Sequence, residues 1–307
     1  MTRVAVVGAT GFVGEAVCAA LRNRGHEVLP VRAPRLTADP SAAVPELEVA
    51  ALKEAAAAAD AVVNCAGMPD ATSGNRTSMM GANAVLPGLI AEIAAVSRVR
   101  FVHVSSAAVQ GRRPVLDASS EMAPFSPYSE SKAAGERAAL VHPNTIVYRP
   151  PGVHGAQRRV TRAIARLARS PMSSVAGTGS ANTAQALIEN VGDAIAFLAT
   201  CSAQPPTVVS HPTEGLTAAS LLEDLGGKRP RHIPQPLARA IVDSSFIVAK
   251  AWPGINGAAR RLEMLWFGQG QAPSWLTTAG WTPPSPRSTW RAIGRALTYE
   301  PERKDNP

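Results

Sequence analysis

Residues 3–25 read RVAVVGATGFVGEAVCAALRNRG, and this stretch decides the fold of the first half of the chain. The run 3–9 is short, apolar and rich in β-branched residues, which is typical of a strand that helices cover on both faces. The stretch 14–25 has helical spacing and a terminal glycine that stops the helix. Three glycines lie in or beside the turn between strand and helix: Gly8, Gly11 and Gly14. Glycine there lets the backbone approach a pyrophosphate, and the free N–H groups at the helix N-terminus favour phosphate.

The alternation of strand and helix continues along the first half. Four further runs predict strands, at 26–33, 60–67, 99–107 and 144–155. Three stretches between them predict helices, at 49–59, 81–97 and 126–142. Ser126 is the predicted N-cap of the last helix, and Pro87 is expected to interrupt the helix at 81–97 or to begin its regular part. Such alternation predicts an α/β fold, a Rossmann-type doubly wound parallel sheet.

Beyond residue 155 the pattern is less regular. The predicted elements are a helix, a strand and a second helix, at 190–201, 206–211 and 233–252. We therefore predict a dinucleotide-binding domain and a smaller mixed α/β C-terminal substrate lobe. The first covers 1–155 and also 187–212; the second covers 156–186 and 213–307 with its tail. Residues 299–307 are expected to fray.

Composition narrows the classes of partner. The net charge is +8 and the pI near 10.0, but the basic residues are spread along the chain and few aromatic residues accompany them. Their densest run, 157–170, is interpreted as a solvated helix face, so no nucleic acid partner is expected. No uninterrupted apolar run is long enough to span a bilayer, which predicts no membrane partner, and a cytoplasmic location is expected. The three cysteines are scattered, so neither a disulfide nor a metal site is expected.

The end of the second predicted strand indicates which dinucleotide binds. NAD-binding sites usually carry an Asp or Glu there for the ribose 2′-hydroxyl group. This sequence has VLPVRAPR, with Arg32 and Arg35 instead. A cation at that place pairs with a 2′-phosphate, so NADP(H) is favoured over NAD(H).

A tyrosine and a lysine four residues apart, Tyr128 and Lys132, share one face of the helix at 126–142. A nearby ammonium favours the phenolate form of a tyrosine, which suits it to exchange a proton with a carbonyl or alcohol oxygen. Ser106 lies at the carboxyl end of the strand predicted at 99–107. In such sheets ligands bind at the carboxyl ends of strands. The Ser106 hydroxyl group can donate to a substrate oxygen on which charge develops.

The chain resembles an extended short-chain dehydrogenase/reductase of the NAD(P)-dependent epimerase/dehydratase family. The matching pieces are GATGFVG, VVNCAG, the Asn in GANAVLPG, VSSAAVQG, YSESK and YRPPGVHG, in the order of the family and within the first 155 residues. A weaker match is LTTAGWTPPSP, near the C-terminus. The substrate half is matched only in outline.

The resemblance implies site residues. The catalytic ones are Ser106, Tyr128 and Lys132. Those expected at the cofactor are Gly8, Thr10, Gly11, Phe12, Val13, Gly14, Arg32, Arg35, Cys65, Ala66, Gly67, Asn83, Tyr128, Lys132, Pro151 and Val153. Those expected at the substrate are Ser106, Ala107, Tyr128 and Arg158.

The resemblance also implies an NADP(H)-dependent reductase of a ketone. The expected substrate is a small molecule, most simply a keto-sugar, free or nucleotide-linked, in a biosynthetic pathway. Many nucleotide-sugar members carry an Arg shortly before a Val-x-Asp motif; here Val191 and Asp193 have no such Arg before them. Gln110 also stands where the family usually has Tyr. Three alternatives stay open: an NAD-dependent sugar epimerase, a polyketide or other non-sugar ketoreductase, and a non-catalytic NAD(P)-binding sensor. Homodimers are common in the family and compatible with this sequence.

Overall fold

The computed structural model describes residues 1–39, 41–43, 45–69, 76–252 and 256–299. The elements in chain order are β1 (Arg3–Val7), α1 (Phe12–Asn23), β2 (Glu27–Val31), α2 (Glu46–Ala57), β3 (Ala61–Asn64), α3 (Arg76–Met80), α4 (Leu86–Val96), β4 (Arg100–Val104), β5 (Val115–Leu116), α5 (Pro127–Leu140), β6 (Thr145–Arg149), β7 (Gly152–His154), α6 (Arg159–Arg169), β8 (Ser174–Ala176), β9 (Gln185–Leu187), α7 (Ile188–Thr200), β10 (Val208–Ser210), α8 (Ala218–Gly226), β11 (Arg231–Ile233), α9 (Gln235–Ala251), α10 (Asn256–Phe267), β12 (Gly270–Gln271), α11 (Trp275–Thr278) and α12 (Ser288–Tyr299).

The chain forms two compact units. Unit 1 contains Met1–Pro151, Ile188–Pro212 and Ala272–Pro284. Unit 2 contains Gly152–Leu187, Thr213–Gln271 and residues 285–299. The predicted tail at 300–307 lies outside the described residues. That unit 1 binds the dinucleotide and unit 2 the substrate stays a prediction.

Unit 1 is built on a six-stranded sheet in the order β10-β6-β4-β3-β1-β2, with every neighbouring pair parallel. The interior strand β1 is fully buried over residues 4–7, because helices cover both of its faces. On one face, buried side chains of α2, α4 and α5 pack together with those of the strands. On the other face lie α1 and α7. The predicted α/β Rossmann-type fold is confirmed.

Helices α1 and α7 pack closely because a glycine lies between them. A Cβ atom added at Gly192 would lie 2.7 Å from the carbonyl carbon of Ala16. One residue further on, the Asp193 carboxylate accepts two hydrogen bonds from Arg24, at 2.8 and 2.6 Å, and one from the indole of Trp281, at 2.8 Å. These contacts attach Ala272–Pro284 to unit 1, whereas the sequence analysis had assigned all of 213–307 to the second lobe.

The predicted helix at 81–97 begins earlier and has a π-helical turn within it. Gly81–Val85 form the turn between α3 and α4, and Pro87 lies in the first turn of α4. Proline has no N–H group, so it cannot bond to the carbonyl oxygen of Asn83 four residues earlier. The expectation that the regular helix begins near Pro87 is therefore met.

The helical stretch Arg76–Val96 is also, within the described residues, the one stretch long and apolar enough to cross a membrane. Of its most apolar 18-residue window, 56% is buried inside the protein. Its buried side chains belong to the core of unit 1, where Leu86, Ile90 and Ala94 pack beneath the sheet. Burial of this kind is also found in core helices of water-soluble domains, so the stretch is weak support for a membrane segment.

Unit 2 combines helices with two small parallel strand pairs, β7 with β9 and β8 with β11. Its core surrounds Trp290, whose indole donates to the Glu214 carboxylate at 3.0 Å. His154 is buried beside the ring of Trp290 and contacts Gln185 and Thr161 through its two ring nitrogens, at 2.7 and 3.0 Å. The predicted helix at 233–252 corresponds to α9, and the arginine-rich run at 157–170 forms α6.

We expect Gly192→Ala to destabilise the protein by about 1–3 kcal/mol, because the new methyl group overlaps Ala16 of α1. Gly257→Ala, in α10, is the matched control, since nothing lies within 4 Å of the added Cβ. Its melting temperature should be unchanged or slightly higher. Thermal unfolding of both variants tests the α1–α7 contact. Equal melting temperatures would contradict it.

Candidate active site

The glycine turn brings backbone atoms close to one another at the carboxyl edge of the sheet. Gly8 has φ +79°, and a Cβ there would lie 2.8 Å from the Ala66 nitrogen. A Cβ at Gly14 would lie 2.1 Å from the Gly8 carbonyl oxygen. Gly11 is the N-cap of α1, with Phe12 and Val13 in its first turn, and Thr10 is exposed beside it. The turn therefore presents backbone to a ligand at the positive end of the helix dipole.

Two arginines follow the neighbouring strand. Val31 ends β2, and its carbonyl oxygen accepts the Gly8 N–H at 3.1 Å, so the chain after β2 begins beside the glycine turn. Arg32 and Arg35 are exposed, and no hydrogen bond or ion pair holds either side chain among the described residues. Both guanidinium groups can therefore accept an anionic ligand.

Asn83 holds the loop after β3. Its side-chain amide donates to the Met68 carbonyl oxygen and to Ser131, both at 3.0 Å, and its Oδ1 accepts the Met68 N–H at 2.9 Å. A Cβ at Gly67 would lie 2.8 Å from this Oδ1 and 3.3 Å from the Lys132 nitrogen. Both amide hydrogens of Asn83 are thus engaged with the protein, so we assign it to positioning the loop that contains Cys65, Ala66 and Gly67.

Helix α5 begins where the sequence analysis predicted. Ser126 caps it and Pro127 is its first residue. Gly135 packs against the π-helical turn, since a Cβ there would lie 2.0 Å from the Asn83 carbonyl oxygen. Because Pro87 leaves that oxygen without its usual helical donor, the backbone of α5 can approach it closely. Helix α5 is therefore fixed before Tyr128 by the Ser126 cap and after Lys132 by the contact of Gly135.

Lys132 is a buried cation. Its side chain is 6% exposed, and its ammonium group donates to the Val104 carbonyl oxygen at 2.8 Å. Burial lowers the pKa of this amine to about 8, while the nearby Glu136 carboxylate acts in the opposite direction. Val104 is two residues before Ser106, so this hydrogen bond brings α5 to the strand end that carries the predicted serine.

Ser106 is held in an extended conformation at the end of β4, where its Oγ accepts the Ala108 N–H at 3.2 Å and caps a short 3-10 helix. Within the described part of the chain the hydroxyl hydrogen has no recorded acceptor, so it can be donated to a ligand. The next residue, Ala107, donates its N–H to the Pro150 carbonyl oxygen at 2.9 Å. This bond joins the loop at 105–107, called the serine loop, to the segment after β6 that includes Pro151.

Most of the predicted site residues come from unit 1. They follow the carboxyl ends of its strands or lie on α1, α5 and the π-helical turn: Gly8, Thr10, Gly11, Phe12, Val13, Gly14, Arg32, Arg35, Cys65, Ala66, Gly67, Asn83, Ser106, Ala107, Tyr128, Lys132 and Pro151. Two others, Val153 and Arg158, belong to unit 2. Val153 is buried in β7, and Arg158 is the N-cap residue of α6.

A buried ion pair near the predicted catalytic residues was not expected from the sequence. Glu136 and Arg149 form an ion pair, 0% and 1% exposed, with an oxygen–nitrogen distance of 2.6 Å. Ser105 also donates to Glu136. One signal was present in the sequence: TIVYR places an arginine in a strand that is otherwise almost wholly apolar, and a charge in such a strand needs a buried partner.

Comparison with known proteins establishes the family. The model of the NAD dependent epimerase/dehydratase family matches residues 4–209, about two-thirds of the chain, and the protein belongs to this family. No curated protein matches the sequence.

Solved structures with the same fold cover nearly the whole chain. MoeE5 in complex with UDP-glucose and NAD is 20% identical, with a TM-score of 0.65, over 96% of this chain and 98% of that one. A dTDP-4-dehydrorhamnose reductase from Bacillus anthracis str. Ames, in complex with NADP, is 15% identical (TM-score 0.64; 97% and 99% covered). Human epimerase family protein SDR39U1 with NADPH is 21% identical (TM-score 0.64; 95% and 99% covered). At these identities the likeness shows the fold alone.

We expect the Lys132 amine to titrate near pH 8, whereas an exposed lysine titrates near 10.4. The ammonium form therefore dominates below pH 8 and the neutral amine above it. Carbon-13 NMR of protein labelled only at lysine measures this directly, because the chain has five lysines. Lys132→Arg identifies the signal by its loss. A Lys132 resonance that titrates with the exposed lysines would show that the amine is not buried.

Proposed function

We propose that the protein is an NADP(H)-dependent reductase of a ketone, with a keto-sugar as the substrate class. The observation that carries this proposal is the connection of three groups at one sheet edge. Lys132 bonds to the Val104 carbonyl oxygen, Ser106 follows two residues later, and Tyr128 precedes Lys132 by one helical turn. An acid, a hydrogen-bond donor and a cation in such an arrangement suit reduction of a carbonyl group.

The chain's own residues have distinct tasks in this reaction. The reduced nicotinamide, when bound, supplies the hydride. Tyr128 gives its phenolic proton to the carbonyl oxygen of the substrate, and Ser106 donates a hydrogen bond that orients that oxygen. The Lys132 ammonium favours the phenolate left on Tyr128 and binds the nicotinamide ribose. Bulk solvent then returns the proton to the phenolate.

The choice of NADP(H) over NAD(H) rests on Arg32 and Arg35. Their exposed guanidinium groups follow β2, where an Asp or Glu would bind the 2′-hydroxyl group of NAD. The similar structures hold NAD in MoeE5, NADP in the dehydrorhamnose reductase and NADPH in SDR39U1, so the fold itself is compatible with each. The preference is therefore argued from the arginines of this chain.

An NAD-dependent sugar epimerase is the second candidate. The name of the family includes NAD-dependent epimerases, and the MoeE5 structure contains NAD and the nucleotide sugar UDP-glucose. Its residues would be the same, but the cofactor would be regenerated in each cycle.

A non-sugar ketoreductase is favoured by one structural observation. The Asp193 carboxylate accepts hydrogen bonds from Arg24 and Trp281 inside unit 1, and residues 184–193 contain no arginine that could bind a diphosphate.

We expect Tyr128→Phe to lower kcat/KM for ketone reduction by about 10²–10⁴, because the proton donor is lost. NADPH binding, followed by thermal shift, should persist. The assay is NADPH oxidation against free keto-sugars, nucleotide-linked keto-sugars and β-ketoacyl thioesters. The ketone that reacts identifies the substrate class, and undiminished turnover in the variant would refute the role of Tyr128.

We expect Arg32→Ala to raise the KM for NADPH about tenfold or more and to leave that for NADH nearly unchanged, since only NADPH has the 2′-phosphate. Arg22→Ala, an exposed arginine of α1, is the matched control and should change neither value. Steady-state kinetics with both cofactors makes the comparison. An equal change for NADPH and NADH in Arg32→Ala would contradict the assignment.

A further inference from the structure

The carboxylate of Glu136 joins three segments of unit 1 beneath the proposed triad. Glu136 lies on α5 and is fully buried. It accepts hydrogen bonds from Arg149 Nε and Nη2, at 3.0 and 2.6 Å, and from the Ser105 hydroxyl group. Arg149 ends β6, and its Nη1 also donates to the Ser119 carbonyl oxygen at 2.7 Å. The Glu136 carboxylate thus links α5 to the ends of β4 and β6, and Arg149 extends this network to the loop before α5.

Each of these segments carries a residue of the proposed site. Ser105 immediately precedes Ser106, and its N–H donates to the Tyr148 carbonyl oxygen at 2.8 Å. Arg149 immediately precedes Pro150, whose carbonyl oxygen accepts the Ala107 N–H. Lys132 is one helical turn before Glu136 on α5. Displacement of Glu136 would therefore loosen the serine loop and the helix relative to one another.

Charge connects Glu136 to Lys132 as well. Three charged or titratable groups interact electrostatically with Lys132: Cys65 after β3, His103 on β4 and Glu136 on α5. Arg149 on β6 is the ion-pair partner of Glu136. Burial raises the pKa of the Cys65 thiol and lowers that of the His103 imidazole well below its usual range, so both are neutral at pH 7. Among these described groups, Glu136 is the anion, and it is shared between the cations of Arg149 and Lys132.

We propose that Glu136 is a positioning residue of the active site, whose carboxylate fixes α5 against the ends of β4 and β6 and provides the counter-charge of the Lys132 ammonium. This role rests on the proposed reductase function, in which Lys132 must be cationic. Arg149 determines how strongly Glu136 stabilises the Lys132 ammonium, because its guanidinium neutralises part of the charge of the same carboxylate. Removal of either partner should therefore move the Lys132 titration, and in opposite directions.

A purely structural ion pair would behave differently. Loss of Glu136 or Arg149 would then lower the melting temperature in both cases and leave the titration of Lys132 where it is. Opposite shifts cannot arise from general destabilisation, because destabilisation has the same sign in both variants. The direction of the two shifts is thus the informative readout.

The test is the lysine titration by carbon-13 NMR in wild type, Glu136→Gln and Arg149→Met, with the wild-type signal assigned through Lys132→Arg. We expect the Lys132 titration to move down by about one pH unit or more in Glu136→Gln, because a neighbouring negative charge is lost. In Arg149→Met it should move up. Glu136→Asp keeps the charge and should leave the Lys132 titration close to its wild-type position. If Arg149→Met fails to fold, the comparison of Glu136→Gln with Glu136→Asp still decides whether the carboxylate charge acts on Lys132.

Kinetics give a second readout that depends on the proposed reaction. The alkaline limb of kcat/KM against pH should move to lower pH in Glu136→Gln, and kcat should fall more than KM rises. If wild-type enzyme reduces no ketone of the panel, the proposed function fails while the titration still decides the role of Glu136. An unshifted Lys132 titration in Glu136→Gln overturns the inference, whether or not the enzyme is active.

Discussion

The hydrogen bond from the Lys132 ammonium to the Val104 carbonyl oxygen is the interaction on which the proposed site depends. A charged amine inside a protein requires a partner, since burial without one is costly. Here the partner is the end of a central strand, so the charge itself fixes α5 against β4. The same bond places Lys132 near Ser106 and leaves Tyr128 one turn away on the same helix. This contact thus couples the position of the helix to the environment of the amine.

Close backbone approaches make that contact sterically feasible. Gly135 lets α5 approach the Asn83 carbonyl oxygen, which Pro87 leaves without its helical donor. Gly67 leaves room for both the Asn83 amide and the Lys132 amine. On the far side of the site, Gly14 lets α1 pack on the glycine turn. Small residues thus occur where a helix or loop must approach the edge of the sheet.

Much of unit 1 could be predicted from sequence, because most of its strands are buried and largely apolar runs and α5 has a strong start signal. Ser126 and Pro127 predicted the start of α5 to the residue. Residues 272–284 could not be assigned, because their place depends on long-range contacts of Trp281 and Ser274 with unit 1. Of the short strands of unit 2, β7 lies within the strand predicted at 144–155, whereas β8, β9 and β11 were not predicted, because three residues carry too little periodicity.

The predicted site residues came from sequence motifs. Motifs readily identify residues that contact a ligand, but they rarely identify the buried residues that support those contacts. Glu136 and Arg149 are 13 positions apart and meet only after β6 joins the sheet, so no local pattern identifies the pair. His103 and Asn64 are a similar case: neighbours across β3 and β4, with a ring-nitrogen contact of 3.3 Å. The partner of a buried polar group of this kind depends on which segments the tertiary fold brings together.

The most direct test of the account follows the hydrogen that a ketone substrate receives. NADPH deuterated at C4 of the nicotinamide, on the side from which hydride leaves, is incubated with the ketone that the substrate panel identifies. The account predicts one NADPH oxidised per product molecule, with deuterium at the new carbinol carbon detected by mass spectrometry. Product formed without net NADPH oxidation and without deuterium would contradict it and support an epimerase that regenerates its cofactor.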